Sequence, residues 1–101
     1  MAEIKWTLQA IDDLEAISEF ISRDSPNYAR LFVNKVVNSI ERLKKFPESG
    51  RILPELNQKH IRENLLGNYR IIYRVKSDVV EILTIYHSAR ILNIKNINIE
   101  V

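Results

Sequence analysis

Cysteine is absent from the 101-residue sequence. That excludes disulfides, thiolate nucleophiles and zinc sites of the usual cysteine type, and it fits a reducing compartment, so a cytoplasmic location is expected. Glycine occurs only twice, which leaves no phosphate-cradling loop. Neither a Gly-x-Ser-x-Gly turn nor a His-Glu-x-x-His pair is present, and no metal and no cofactor are expected. No stretch approaches the roughly 18 apolar residues that a bilayer span requires, and the opening Met1-Ala2-Glu3-Ile4-Lys5-Trp6 has no apolar signal core. A soluble chain that is neither exported by a standard signal nor held in a membrane is expected. Internal repeats, linkers and low-complexity segments are also missing.

What is present suits a single domain over residues 1–101, because 46% apolar residues are enough for one modest core. The net charge is only +2, from 15 Lys+Arg against 13 Asp+Glu, but the two signs are unevenly spread. Seven of the 13 acidic residues precede position 47, whereas Arg51, Lys59, Arg62, Arg70, Arg74 and Arg90 fall in the second half. A basic surface there suits a phosphate backbone or an acidic partner segment, although a solvated face of mixed sign would leave the same composition.

Residues 3–6 alternate polar with apolar and read as a short strand with Ile4 and Trp6 on one side. From Leu8 the period changes: Ile11, Leu14, Ile17 and Ile21, with Ala10 and Phe20 beside them, mark one helical face, and Asp12, Asp13, Glu15 and Glu19 the other. That helix ends near Arg23. Ser25-Pro26 opens a second, with a hydroxyl cap followed by proline at the first position, and its stripe runs Ala29, Phe32, Val33, Val36, Ile40, Leu43 and Phe46 until Pro47 closes it. Two helices so closely joined predict an antiparallel hairpin over 8–23 and 26–46. Residues 47–60 read as an ordered connecting loop.

Thereafter the period is two. A strand from about His60 to Leu66 places Ile61 and Leu65 opposite Arg62 and Asn64, and Gly67-Asn68 makes a two-residue turn. In the next strand, 69–75, Tyr69, Ile71, Tyr73 and Val75 share one side, and Arg70, Ile72 and Arg74 the other. Tyr69 and Tyr73 are expected as core aromatics with hydroxyls near the edge. Ser77-Asp78 turns into a strand over 79–86 that is buried on both faces. The tail from Ile91 to Val101 stays open between helix and strand. The result is an α+β fold: a strand, a two-helix antiparallel hairpin, then a three-stranded antiparallel sheet.

Several short motifs sit on this frame: Trp6; Ala10-x-x-Asp13-Leu14-x-x-Ile17; Ser25-Pro26-x-x-Ala29; Leu43-x-x-x-Pro47-x-x-Gly50-Arg51-x-x-Pro54-Glu55-Leu56; Arg62-Glu63; Tyr69-Arg70-Ile71-Ile72-Tyr73-Arg74-Val75; and His87-Ser88-Ala89-Arg90. In this order the chain resembles the RelE/ParE superfamily of toxins from type II toxin-antitoxin pairs, over all but the tail. The resemblance implies a cognate antitoxin as partner and one of two modes of action. RelE-like members cut messenger RNA in the ribosome with the RNA's own 2'-hydroxyl as nucleophile, which needs a base, cations for the phosphorane charge and an acid. Arg70 and Arg90 match the family's arginines, and His60 and Arg62, with one gap, the basic positions of the preceding strand. No tyrosine follows Tyr86, where such enzymes commonly keep their proton-transfer group, so His87 is the nearby candidate base. His87, Arg70 and Arg74 also have ordinary structural roles open to them, the arginines by pairing with Glu63 or Glu81 across the sheet.

ParE-like members bind DNA gyrase without a catalytic triad. The Gly50 to Leu56 loop, with Arg51, and the acidic first helix resemble that class more, and a surface loop held by two prolines suits a binding element as well as it suits a plain connection. A ParE-like gyrase inhibitor is therefore the leading expectation, with a RelE-like endoribonuclease second.

Overall fold

The structure, a computed structural model, describes residues 1–90 and Leu92. The tail left open between helix and strand lies, apart from Leu92, outside the described residues. The first strand, β1 (Glu3–Trp6), leads directly into helix α1 (Leu8–Ser22). Thr7 makes that junction: its backbone is extended and its Oγ1 accepts a hydrogen bond from the Ala10 amide at 3.1 Å, relieving one of the free amides of the first turn. Ser25 caps α2 (Pro26–Glu41) in the same way through the Tyr28 amide, with Pro26 at the first helical position as the sequence predicts.

The second helix is shorter than expected. After Glu41 the chain tightens into a 3-10 turn, Arg42–Lys44, which still buries Leu43 but leaves Phe46 61% exposed. The Lys44 carbonyl is diverted to the Ala2 amide at 2.9 Å, and Pro47 bars its predecessor from helical geometry, so the ladder cannot run on to residue 46.

The strands expected over the second half are β3 (Ile61–Leu66), β4 (Tyr69–Lys76) and β5 (Val79–His87), and they are antiparallel as predicted. The sheet extends beyond them at both sides, in the order β1-β5-β4-β3-β2. β1 lies parallel to β5, with Trp6 opposite Ile82. β2 (Arg51–Ile52) emerges from the 47–60 segment and pairs with β3, Arg51 opposite Glu63. Gly50 just before it approaches so closely that a Cβ would sit 2.5 Å from the Tyr73 hydroxyl and 2.6 Å from the Glu63 carbonyl. Glycine is needed there for space.

Each face of the sheet carries its own core. On one, Ala10, Val36, Ile40 and Leu43 of the helical layer meet Ile71, Tyr73, Val80, Ile82 and Ile85. On the other, Leu53, Ile61, Ile72, Leu83 and Leu92 cluster without a helix. Tyr73 is fully buried, and its hydroxyl lies inside, accepting the Gly50 amide at 2.9 Å, instead of at the edge as expected. Burial of the phenol pushes its pKa above the usual tyrosine value.

β5 carries a bulge: Ile82 faces Tyr73 and Thr84 faces Ile72, so Leu83 is the extra residue. The first helix satisfies the backbone this disrupts. The Thr7 amide donates to the Ile82 carbonyl at 3.1 Å, and the Thr7 hydroxyl is within reach of the Ile82 and Leu83 carbonyls at 2.7 and 3.0 Å. Asp13 Oδ2 accepts from the Ile85 amide at 3.2 Å and from the Thr84 hydroxyl. Asp13 therefore belongs to the inner face of α1 with Leu14 and Ile17, not to the solvated face, while Ile11 and Phe20 are turned outward.

Candidate functional site

Alternation along β4 sends Arg70 and Arg74 to the face away from the helices. A guanidinium that leaves water there needs carboxylates, and it finds them. Arg70 Nε donates to Glu63 Oε1 at 2.5 Å, while Nη1 and Nη2 each donate to one oxygen of Glu55 at 2.7 Å. Glu63, opposite Ile72 on β3, has a side chain with no exposure and takes a second arginine on its other oxygen, Arg51 Nε at 2.5 Å. The hydrogen bonds from Arg70 lower the pKa of the Glu55 carboxyl from its ordinary value, and Glu55 in turn raises that of Arg70 above the usual arginine value. Arg74 pairs with Glu81 on β5, Nε at 2.9 Å and Nη2 at 2.7 Å.

Arg62 points the other way. Its Nη1 donates to the carbonyls of Gly50 at 2.8 Å and Glu48 at 3.2 Å, and its Nε to that of Lys59 at 3.0 Å. Three loop carbonyls thus accept hydrogen bonds from one guanidinium, which helps hold the 48–50 segment beside the Tyr73 hydroxyl. His60 lies exposed just before β3, and its carbonyl accepts the Val75 amide at 2.8 Å.

The remaining candidates meet elsewhere. His87 and Arg90 border a groove of about 770 Å³ between the second half of α1 and the end of β5, with Ile17, Phe20 and Tyr69. The His87 ring stands edge-on to Tyr69 at 5.1 Å, and its Nδ1 accepts the Ala89 amide at 3.0 Å. That bond makes Nδ1 the acceptor of a neighbouring backbone amide. The structure thus brings Arg51 and Arg70 together, joins His87 to Arg90, and separates the two pairs: Tyr69, which touches His87, and Arg70 leave β4 on opposite faces. Among the described residues no cluster of three metal-ligating side chains occurs.

Glu55 and Asp13 are polar residues whose contacts sequence reasoning missed. For Asp13 the signal was its spacing of three and four residues from Ala10 and Ile17, which puts it on the packed face. For Glu55, a loop residue, periodicity offered nothing.

A family model described as ParE toxin of type II toxin-antitoxin system, parDE, matches residues 4–92. A Sinorhizobium fredii protein assigned as toxin Y4kP is 37% identical over 87 residues, 84% of this chain and 86% of that one. Toxin RelE2 of Caulobacter vibrioides is 31% identical over 91 residues, 90% of this chain and the whole of that one. Among solved structures, one described as the chromosomal ParDE TA system from P. aeruginosa superposes with a TM-score of 0.71 at 27% identity, covering 86% of this chain and 96% of that chain.

Proposed function

The chain belongs to the family of ParE toxins of type II toxin-antitoxin systems, and on that premise we propose that it inhibits growth by binding DNA gyrase. The observation that carries this choice of target is the state of Arg70. An RNase of the alternative class would need that guanidinium free to hold developing phosphorane charge, yet Glu63, whose side chain has no exposure, holds its Nε at 2.5 Å and sets a fixed negative charge beside it. The residue best placed to move a proton, His87, leaves the sheet on the other face. A binding protein has no need of such convergence. Its affinity would reside in exposed surface, and α1 together with the Gly50 to Leu56 loop offers acidic, apolar and proline-stiffened elements for it.

A cognate antitoxin is the second partner proposed, in keeping with the paired system that the P. aeruginosa structure is described as. An antitoxin segment that folds on binding would cover basic residues of the sheet and apolar surface by the helical hairpin, where Tyr28 and Leu31 are 69% and 54% exposed. A cytoplasmic setting is part of this proposal. Among the described residues no helix is long and apolar enough to cross a membrane.

The ribosome-dependent endoribonuclease reading keeps one specific observation in its favour, the meeting of His87 and Arg90 in a single groove. One preparation of toxin tested both in a gyrase supercoiling assay and by cleavage mapping of messenger RNA on ribosomes separates the two. Loss of supercoiling activity with transcripts uncut is the expected result. Cut transcripts with unaffected gyrase would overturn the proposal.

A further inference from the structure

Arg51, Glu63 and Arg70 are set in place by three neighbouring strands, β2, β3 and β4. Glu55 is not. It sits on the turn that follows β2, closed by the Leu56 and Asn57 amides on the Leu53 carbonyl at 3.2 and 2.8 Å. Its side chain is 30% exposed, against 11% for Arg70 and none for Glu63. Without Glu55 the strand-borne set would carry one net positive charge, and Nη1 and Nη2 of Arg70 would present two parallel donors spaced for a carboxylate. Beside them is a depression of about 430 Å³ bordered by Pro54, Leu65, Gly67 and Ser88. Leu65 is 57% exposed, and since β2 pairs only as far as Glu63, no described strand covers Asn64 to Leu66 on that side.

We propose that Arg70, assisted by Arg51, is a receptor for one carboxylate of an acidic peptide segment from a partner protein, and that Glu55 is an internal occupant which that carboxylate displaces. Exchange of like for like leaves Glu63 and both arginines paired throughout, so it avoids the cost of an uncompensated buried charge. The displaced Glu55 returns to water on its exposed turn. A peptide fits better than a nucleic-acid backbone, which is held by rows of cations, whereas the described residues around the depression include only Arg51 and Arg70 as cations. The exposed Leu65 next to the site selects an apolar residue beside the acid, and the uncovered edge of β3 suits an extended segment.

The test uses the full chain and a dye-labelled, end-capped pentapeptide with one glutamate between two leucines, followed by fluorescence anisotropy. Glu55→Gln is expected to bind it about tenfold or more tightly than the wild type, because the internal competitor is gone. The same peptide with glutamine in place of glutamate should bind neither protein. Arg70→Lys added to Glu55→Gln should abolish the gain by removing the two-pronged donor. Equal affinity for wild type and Glu55→Gln, undiminished binding of the glutamine peptide, or displacement by inorganic phosphate beyond that by chloride at matched ionic strength would each overturn the receptor. Should Glu55→Gln fail to fold, glutarate titrated into the wild type is expected to move the Arg70 Nε–H resonance before that of Arg74. A titration in which Arg70 does not move first would be equally fatal.

Discussion

Asp13 of α1 accepts a hydrogen bond from the Ile85 amide at 3.2 Å, and the same carboxylate oxygen takes the Thr84 hydroxyl, 71 positions along the chain. The bond joins the first helix to the strand that the bulge at Leu83 distorts. It supplies an acceptor where regular pairing has failed.

Asp13→Ala leaves the Ile85 amide and Thr84 hydroxyl without that acceptor in a half-buried place, which should cost about 1–3 kcal/mol. Asp13→Asn keeps one carbonyl oxygen and should cost less. Urea denaturation followed by circular dichroism reads both; an Asp13→Ala protein as stable as the wild type would mean that the bulge is satisfied without α1.

Gly50 and Tyr73 form a second lock, at the entry to β2. Gly50→Ala pushes a methyl group into the Tyr73 hydroxyl and the Glu63 carbonyl, and the latter is backbone that cannot swing aside, so a loss of about 1–3 kcal/mol is expected. Tyr73→Phe keeps the ring but strands the Gly50 amide, at a similar cost of about 1–3 kcal/mol. In a domain of this size each kcal/mol lowers Tm by about 4–8 °C. Combining the two substitutions should cost less than their sum, because the methyl then meets no hydroxyl, and additive losses in a thermal-melt cycle would contradict the shared contact.

The helical hairpin, the three antiparallel strands and the split of β4 into an aromatic and an arginine face were legible because each rests on periodicity within one element. β2 was not, since two residues cannot display a period and Arg51–Ile52 is a strand only because Glu63–Arg62 lies alongside. Parallel placement of β1 depends on contacts 76 residues apart, such as the Thr7 hydroxyl with the Leu83 carbonyl. At the site, Glu63 and Glu81 were predictable partners of Arg70 and Arg74 from strand register. Glu55 was not, because a turn brings it there. The separation of His87 from Arg70 follows from their leaving opposite faces of neighbouring strands, a parity that the bulge at Leu83 resets and the sequence does not announce.

Two titrations bound the pH range of stability. Glu55 has its pKa lowered in the folded protein by Arg70, so its contribution is present above the ordinary value of 4.5 and is lost as pH falls through the folded value. Tyr73 has its pKa raised by burial, so its contribution is complete below the ordinary value of 10.0 and is lost as pH rises through the folded one. Chemical denaturation at stepped pH should show both declines. Glu55→Gln should flatten the acid side alone, and Tyr73→Phe the alkaline side alone; either variant with an unchanged profile would refute the assignment.

Arg70→Ala is a poor probe of mechanism, since it strips a partner from the wholly buried Glu63, leaving only Arg51, and breaking such a pair costs about 3–5 kcal/mol. Loss of toxicity in that variant would follow from unfolding under either reading. Arg90→Ala and His87→Gln are better. Arg90 is exposed, and the His87 side chain takes part in one ring contact and one hydrogen bond to a neighbouring amide, so both variants should fold. If the chain acts on gyrase through α1 and the Gly50 to Leu56 loop, both should keep growth inhibition and supercoiling inhibition within about threefold of wild type, as substitutions outside an interface's central residues do. A ribosomal nuclease that used them as cation and base would lose cleavage by about a hundredfold or more for each. Growth assays and transcript mapping on the two folded variants decide the matter: toxicity lost together with cleavage in both would overturn the gyrase reading and make the groove of His87 and Arg90 a catalytic one.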